Sequence, residues 1–513
     1  MTEPRNVLRT ALIAGASLLA MSGVAQAQTT ASPADQQARI EALEAQLQAL
    51  AAQIADLKTT TAAGIKEVRA AQGATTVSLA NGRPTISTGD GAFSVAVRGI
   101  FQADAAYYDQ ASAGPLASDR RRGSFNDAAE NDRARDLSDG VNIRRARLGV
   151  EGKLFGAFDY NMIYDFGGSG AEEAGKISSA WLQYSGYPVK LRAGVYAPVT
   201  SLEDAANNTG SLFAERASVA ETVRGLAGGD GRAAIGLLSN GARWNASLSL
   251  TGNVVTTQTF DEQVGLVGRV AYVPLKGRDW LIHVGANANL ILSPAATGPD
   301  VASTGGAPSA IRLRDRPELR VDGARLIDTG SIDADSVSAY GLEFGAQRKN
   351  LYLQAEYFDI SVERRTSALS NPDFDGWYVQ AGWTLTGEAR RYSTATAGFD
   401  NPRPAKAFDP KKNQWGAVEL GIRYSTFDLN HMAGGQGTTP VAGAIRGGEQ
   451  NILSLGLNWY LNNAVTVSGA YRNVEVRRLS PGGTAFVAGS TPTAGSEVGQ
   501  DLNIWSLRTQ YAF

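Results

Sequence analysis

The 513-residue chain contains no cysteine, which excludes disulfide bonds, thiol chemistry and thiolate metal sites. Its two histidines, His283 and His431, are too few for a histidine-based metal cluster, and we expect no cofactor. No G-x-S-x-G or comparable nucleophile motif is present, so we do not expect an enzyme. The formal net charge of −2 provides no overall field that would recruit nucleic acid.

Long hydrophobic runs are also absent beyond the N-terminus. A membrane-spanning helix would need roughly 20 consecutive apolar residues. At the N-terminus, Arg5 and Arg9 precede the apolar stretch 11–21, and Ala25-Gln26-Ala27 has the pattern of a cleavage site. We therefore interpret residues 1–27 as a signal peptide for export, with a membrane anchor as the alternative.

Lysine is scarce, with ten lysines among the 48 cations and 38 arginines making up the rest. Arginine in such excess favours planar, forked contacts to carboxylate or phosphate groups. The codon bias of a GC-rich genome would produce the same excess, and composition alone leaves both readings open. Glycine is abundant, at 58 residues, which suits many strands and turns.

Residues 28–58 are predicted to form a short coiled-coil helix, since Ser32-Pro33 can start a helix. Apolar residues then repeat at alternating spacings of three and four, the a/d pattern of a coiled coil: Ile40, Leu43, Leu47, Leu50, Ile54 and Leu57. The alternative is an amphipathic helix docked on its own barrel. Residues 59–91, rich in threonine, glycine and alanine, are interpreted as a linker.

The remaining residues, 92–513, are predicted to form an all-β domain of sixteen strands. The strand-like segments are 93–108, 141–153, 157–166, 175–185, 188–196, 232–239, 242–253, 264–275, 279–292, 335–348, 350–362, 375–386, 414–428, 449–461, 464–478 and 500–513. Most are long enough to cross a bilayer when tilted, which takes about 9–11 residues. An even number of strands is typical of a bacterial transmembrane β-barrel with antiparallel pairing.

Connections between these segments alternate between short turns and long loops, as periplasmic turns and outer loops do in such barrels. The long connections are 109–140, 197–231, 293–334, 429–448 and 479–499. The connection 387–413 breaks the rule, because it is long but falls at a position where a short turn is expected. Either a strand pair is merged or missed there, or this turn is elaborated.

The last nine residues alternate strictly, with Trp505, Leu507, Thr509, Tyr511 and Phe513 on one face. An arginine facing lipid near the midplane would cost about 2–4 kcal/mol, so charged residues should face the lumen. We therefore expect the apolar face to contact lipid and Arg508 to point inward.

The same parity argument places eleven cations and seven carboxylates on the lumen face of the barrel. The cations are Arg98, Arg145, Arg147, Arg192, Arg243, Arg269, Arg423, Arg472 and Arg508, with Lys153 and Lys190. The carboxylates are Asp104, Glu151, Asp159, Asp165, Glu343, Glu356 and Glu419. Separated cations suit anion conduction, because each site binds weakly and passes the ion on. A salt bridge in the wall remains the alternative for any one arginine.

Several segments resemble the phosphate-selective porin O and P family, over roughly residues 90–513. The segments are 377–392, 415–425, 458–462, 144–149, 165–166, and 198–203 with 213–216. The resemblance implies a sixteen-stranded trimeric porin of the Gram-negative outer membrane with an N-terminal periplasmic extension. It also implies anion selectivity from arginines that line the pore, and a C-terminal strand read by the barrel-assembly machinery.

The resemblance further implies that the loop 197–231 folds inward and narrows the pore. Arg216 and Arg224 are its candidate cations, and Glu203, Glu215 and Glu221 could hold them in ion pairs. We therefore expect a homotrimeric porin in outer-membrane lipid that passes small anions such as phosphate. The family's best-known members use clustered lysines, which this chain lacks, so phosphate specificity is less expected than anion preference. The alternative is a general porin whose N-terminal helix tethers the envelope.

Overall fold

The computed structural model describes residues 33–72, 75–80, 82–127, 129–130, 132–167, 175–206, 209–257, 259–296, 298, 310–365, 368–487 and 491–513. The predicted signal peptide at 1–27 lies outside the described residues. The chain divides into two compact units, and the boundary falls between Ala74 and Thr75.

The first unit contributes one helix, α1 (Pro33–Gln72), which is longer than the sequence predicts. The hydroxyl groups of Thr59 and Thr60 donate to the carbonyl oxygens four residues earlier, so these threonines do not end the helix. The predicted linker 59–91 is therefore wrong over most of its length, because helix and then strand occupy it. Within the described chain, no helix is both long and apolar enough to cross a membrane.

The second unit begins with a hairpin of β1 (Thr76–Ala80) and β2 (Arg83–Ser87), which joins the start of the next strand. The following elements are β3 (Ser94–Asp109), β4 (Gly140–Leu154), β5 (Phe158–Asp165), β6 (Lys176–Tyr184), β7 (Lys190–Val195), α2 (Leu202–Ala205), α3 (Ser218–Ala227), β8 (Arg232–Asn240), β9 (Trp244–Val254), β10 (Val264–Lys276), β11 (Trp280–Ser293), β12 (Arg314–Asp315), β13 (Ile327–Asp328), β14 (Ala334–Arg348), β15 (Leu351–Arg364), β16 (Asp373–Thr384), β17 (Arg391–Ser393), β18 (Gly398–Asp400), β19 (Ala417–His431), β20 (Ile445–Tyr460), β21 (Val465–Arg477) and β22 (Gln500–Ala512).

Sixteen of these strands form a closed antiparallel barrel, as the sequence predicts. Each barrel strand pairs with the next along the chain, and β22 pairs with β3 to close the ring. The terminal Phe513 continues this seam through two backbone hydrogen bonds with Gly99, of 3.0 and 3.1 Å. Its ring lies where a Cβ atom at position 99 would be, so any larger residue there would displace the ring.

The closing strand β22 shows the predicted division into two faces. Trp505 and Leu507 are 54% and 50% exposed on the outside, whereas Arg508 is 5% exposed and points inward. Apolar residues on the outer face suit contact with lipid, and polar residues on the inner face avoid it. The short connections lie together at one end of the barrel, the short-turn end, and the long ones at the opposite long-loop end.

The barrel interior is filled by three inward-folded segments rather than by water alone. They are the constriction loop (196–206 and 209–231, with α2 and α3), the second inward loop (310–333, with β12 and β13) and the insert (385–416, with β17 and β18). Val219 and Val223 of α3 pack against inward-facing Phe358 and Phe427 of the wall. The interior is therefore partly apolar there, because apolar side chains of the loops and the wall bury one another.

The insert accounts for the connection that broke the predicted alternation. Its hairpin of β17 and β18 enters from the short-turn end and places Phe399 against Tyr352 and Leu202 inside the barrel. Gly398 approaches α2 so closely that a Cβ atom would lie 2.7 Å from the side chain of Ala205. The turn is therefore elaborated, and no barrel strand was missed.

Candidate constriction inside the barrel

A β-bulge in β4 turns two consecutive arginines toward the interior. Gln102 of β3 faces Arg145, but Ala103 faces Ile143, so Arg144 has no partner in the register. A bulge inserts one residue into a strand and re-aims its side chain. Arg144 and Arg145 are both buried, at 8% and 5% exposure. Strict alternation along the strand predicts that only Arg145 points inward. Arg144 was missed because a bulge has no reliable sequence signal.

Glu215 of the constriction loop is the carboxylate on which the wall arginines converge. Its oxygens lie 2.8 Å from Nε of Arg144, 2.8 Å from Nη2 of Arg508 and 3.4 Å from Nε of Arg320. Burial would raise the pKa of Glu215, but Arg144, Arg508 and Arg145 outweigh burial and hold it well below its usual range. Glu215 is therefore ionised and anchors the loop to β4 and β22, the two strands that flank β3.

Arg508 also binds Asp104 through two contacts of 2.6 Å, in the forked geometry that arginine offers to a carboxylate. Asp104 and Arg508 are cross-strand neighbours at the seam between β3 and β22. We call Arg144, Arg145, Arg320 and Arg508, with Glu215 and Asp104, the constriction cluster. Glu215 and Asp104 pair with the other arginines of the cluster, whereas Arg145 has no carboxylate within 4.0 Å among the described residues.

A chain of ion pairs fixes the base of the constriction loop to the wall. Arg147 of β4 contacts Asp165 at 2.7 Å and also pairs with Asp230 of the loop. Arg224 bridges Asp230 and Asp204, the second at 2.6 Å. Burial would raise the pKa of Asp230, but Arg147 and Arg224 hold it well below its usual range. These arginines are neutralised, so they position the loop rather than offer free positive charge.

Arg216 extends this chain within the loop, at 2.9 Å from Asp204 and 3.0 Å from Glu221. Glu221 in turn contacts Arg320 of the second inward loop at 2.6 Å. The two inward loops are therefore tied to each other as well as to the wall.

Arg423 of β19, three strands from β22 around the barrel, joins the same two loops. It lies 3.1 Å from Glu203 of the constriction loop and pairs with Glu318 of the second inward loop. Its guanidinium group also stacks 4.7 Å from the ring centroid of Phe213. Burial raises the pKa of Glu203 to about 7, against the lowering effect of Arg423. The acid–base state of Glu203 therefore changes near neutral pH.

Arg269 of β10 binds the insert rather than lining an open channel. It contacts Glu343 at 2.8 Å and donates to the carbonyl oxygens of Thr396 and Ala397, at 2.7 and 2.8 Å. His283 lies beside this pair, at 2.8 Å from the Tyr392 hydroxyl of the insert. The inward direction predicted for Arg269 agrees with the structure, but its charge is matched by Glu343.

The other predicted cations of the wall lie toward the short-turn end. Arg98 is 3.6 Å from Glu151, and Lys153 is 2.8 Å from Asp159. Arg192 donates to Gln183 at 2.7 Å and stacks 4.2 Å from the Trp181 ring, while Lys190 begins β7. Arg243 does not line the wall, because it lies in the turn before β9 with an exposed side chain. Alternation does not hold in a turn, which explains this error.

Two buried arginines on the wall have neither a carboxylate nor a backbone carbonyl as a partner among the described residues. Arg472 is fully buried, and its one side-chain partner among the described residues is the Ser506 hydroxyl, at 2.8 Å. Arg145 donates to Gln102 at 2.7 Å and likewise has no carboxylate within 4.0 Å in the described chain. A buried cation without a counter-charge is costly. An anion at either position would supply the missing counter-charge.

The second inward loop contributes cations to the interior. The alternation of residues along strands could not predict them, because they lie outside the predicted strands. Arginine occurs five times between 312 and 325. Burial, together with Arg316 and Arg314, lowers the pKa of Arg325 to about 10. Neither Arg314 nor Arg325 has a carboxylate within 4.0 Å in the part of the chain that the structure describes. The high density of arginine in residues 312–325 is the sequence signal that indicates these interior cations.

No metal centre is found within the described ranges, where no three acidic or histidine side chains are grouped closely enough to hold an ion. The geometry supplies charge and shape instead: two inward loops held by ion pairs, and guanidinium groups in excess over carboxylates. Such a site can bind and pass anions by electrostatic attraction.

Comparison with known proteins gives one family and a set of barrel structures. The sequence profile described as phosphate-selective porin O and P matches residues 117–513. Porin O of Pseudomonas aeruginosa is 25% identical over 363 residues, covering 67% of this chain and 79% of that protein. A protein of Caulobacter vibrioides is 28% identical over 303 residues, covering 58% of this chain and 57% of that relative.

Solved structures with a similar barrel include an anion-selective porin from Comamonas acidovorans, with a TM-score of 0.46 and 12% identity. The match covers 82% of this chain and 100% of that porin. The outer-membrane protein OmpT of Vibrio cholerae matches with a TM-score of 0.45 and 11% identity, over 82% and 100% of the two chains.

Proposed function

Because the chain belongs to the phosphate-selective porin O and P family, we propose that it is an outer-membrane porin for passive, anion-preferring diffusion of small solutes. Phosphate and related anions are the proposed substrates. The single observation that carries the proposal is the excess of unmatched guanidinium groups in the barrel interior, at Arg145 and Arg472 on the wall.

Arg314 and Arg325 of the second inward loop extend this excess toward the long-loop end. Arginine presents planar donors that fit the oxygens of phosphate or a carboxylate. Several weak sites in series favour conduction, because each attracts an anion without trapping it. We propose a path from these arginines past the constriction cluster to Arg98 and Arg192 near the short-turn end.

The remaining predicted pore arginines take a different part in this proposal. Arg147, Arg269, Arg423 and Arg508 are each paired with carboxylates, which supports a role in holding the loops that narrow the pore. Among the constriction-loop residues, Glu203, Glu215, Arg216 and Arg224 have the same role. Their pairing leaves the unmatched arginines to supply the selectivity.

A planar bilayer with a salt gradient tests anion preference directly. We expect a reversal potential of the sign that reports anion selectivity, and Arg314→Gln with Arg325→Gln should reduce it. A matched control, Arg477→Gln, removes an exposed cation that pairs with Glu475 and Asp501, and it should leave the reversal potential unchanged. A cation-selective or non-conducting wild-type protein would contradict the proposal.

Phosphate preference is tested in the same bilayer by adding phosphate to a chloride solution. We expect phosphate to reduce the chloride current in a saturable way, because a bound oxyanion occupies the narrow region. If phosphate did not change the chloride current, the protein would be a general anion porin without a phosphate site.

Helix α1 supports a second, structural role. The six apolar residues of its a/d stripe are 50–71% exposed, so the described residues leave this stripe uncovered. We propose that these helices associate in a periplasmic coiled coil of a homotrimer, or else tether the envelope. Deleting 34–58 should weaken oligomer assembly in the first case and envelope attachment in the second. Normal assembly and attachment together would exclude both.

The closing strand β22 supports the proposed route of insertion. Its exposed aromatic residues, Trp505 and Tyr511, are followed by the half-buried Phe513 at the seam with β3. We propose that the barrel-assembly machinery reads this strand during insertion into outer-membrane lipid. Deleting Phe513 should strongly reduce the amount of folded protein recovered from the outer membrane. The free energy of unfolding of the same variant refolded in detergent should change less.

A further inference from the structure

A groove on the outside of the barrel combines apolar walls with unmatched cations. It lies at the short-turn end between β11, β14 and β15, and has a volume of about 660 Å³. Ile282, Ala346 and Leu353 are cross-strand neighbours that form its floor. Ala346 is the small residue of this row, so the floor is recessed between two larger side chains. The groove is continuous with the lipid-facing wall.

The cations of this groove lie at its edge, in the two adjoining turns. Arg348 pairs across the strands with Trp280 on one side and Leu351 on the other, so it faces outward with them. Lys349 follows in the turn, and both cations are exposed. Neither has a carboxylate within 4.0 Å among the residues that the structure describes. Trp280, 48% exposed, marks the level at which aromatic side chains meet lipid headgroups.

The neighbouring turn between β10 and β11 strengthens this positive edge. Lys276 and Arg278 are also exposed, and the one acidic residue of these two turns is Asp279. Four cations therefore adjoin one carboxylate at the mouth of an apolar groove. That combination fits an acyl chain on the floor and a phosphate at the edge.

The opposite end of the outer wall has the reverse charge. Asp359, Asp375, Asp428 and Glu449 are successive cross-strand neighbours near the long-loop end. A second outer groove, lined by Tyr107, Leu455 and Trp505 among others, has no cation in its lining. Of these two outer grooves, the one near Arg348 is therefore the one with unmatched positive charge.

We propose that this groove binds an anionic glycerophospholipid of the inner leaflet of the outer membrane. Short turns face the periplasm in barrels of this kind, which places Arg348 and Lys349 at the level of inner-leaflet phosphates. The acyl chain lies over Ala346 between Ile282 and Leu353. Arg348 donates to the phosphate in forked geometry, and Lys349 adds a point charge.

The test measures lipid retained by the purified full-length protein in detergent, by native mass spectrometry. Phosphatidylglycerol and phosphatidylcholine with the same acyl chains are compared. We expect preferential retention of phosphatidylglycerol, and a roughly 30-fold weaker affinity in Arg348→Gln/Lys349→Gln, at roughly fivefold for each cation. Equal retention of the two lipids by the wild-type protein would overturn the proposal.

Two further variants separate the groove from general charge attraction. Ala346→Trp fills the floor without changing charge and should abolish the preference, whereas Ala355→Trp, outward on the same wall, should not. Lys406→Gln/Lys411→Gln removes two exposed cations of the insert and should have little effect. If all of these variants lost the preference for phosphatidylglycerol equally, the preference would not depend on this groove and the proposed site would be refuted.

Two more measurements decide between this lipid and other occupants. Inorganic phosphate at the lipid concentration should not displace phosphatidylglycerol, because it lacks the acyl chain, and displacement would contradict the proposal. The Ala346→Trp variant should keep the oligomeric state and chloride conductance of the wild-type protein. Dissociation of an oligomer in this variant would instead identify the groove as a contact between copies.

Discussion

Replacing Glu215 by glutamine removes the carboxylate on which the constriction cluster converges. The side chain keeps its shape, but Arg144, Arg508 and Arg320 lose their shared negative partner, which lies 2.8 to 3.4 Å away. Breaking a buried pair by removing one member costs about 3–5 kcal/mol. Because Glu215 is only 7% exposed, solvent screens this loss little. Urea unfolding followed by tryptophan fluorescence should report a destabilisation of this size.

The same change should increase anion selectivity. For an anion passing about 8 Å from the lost charge, the interaction is about 2 kcal/mol at an effective dielectric constant of 20. Screening over a Debye length of about 8 Å reduces it to about 0.8 kcal/mol, which corresponds to a roughly fourfold gain in anion permeability and to at least that change in the anion-to-cation permeability ratio.

The reversal potential in a planar bilayer measures this ratio, and heat-resistant migration on a gel shows that the barrel is folded. Glu475→Gln is the matched control, since it removes the same charge from an outward position that is about half exposed. If folded Glu215→Gln protein has the wild-type reversal potential, ions do not pass near the constriction cluster and the reasoning is refuted.

Three further predictions concern the interior. Arg472→Gln should weaken the block of chloride current by phosphate by at least about tenfold, because a charged hydrogen bond is worth about 1.5–3 kcal/mol; an unchanged block would exclude this arginine from the path. Gly398→Ala should separate the insert from α2 and raise the single-channel conductance, whereas wild-type conductance would show that the insert does not narrow the pore. Glu203, with its pKa raised to about 7, retains a proton in the folded state between its ordinary value and pH 7. Its contribution to stability should fall as pH rises through that range, and Glu203→Gln should remove this part of the pH dependence of urea unfolding.

The positions of the barrel strands were predictable because the signal is local. Alternation of apolar and polar residues reports which side of a strand contacts lipid, and it held for β22 from Trp505 to Tyr511. It failed where the backbone leaves the regular strand. The bulge at Arg144 and the turn at Arg243 are two such places.

The filling of the barrel was not predictable in the same way. The insert and the second inward loop have short strands of two or three residues, whose position is set by contacts with distant parts of the wall. Arg269 illustrates this, because its partners Glu343 and Thr396 are 74 and 127 residues away in sequence. No local pattern relates residues at such distances.

The sequence by itself determined a sixteen-stranded membrane barrel and the inward direction of most of its arginines, because strand periodicity and the cost of charge in lipid act residue by residue. The tertiary structure alone decided which of those charges remain available. Arg508 is neutralised by Asp104, 404 residues earlier, and by Glu215 of a folded-in loop, whereas Arg472 has no such partner among the described residues. Ion pairing depends on distance in space, which only the closed barrel and its inward loops establish.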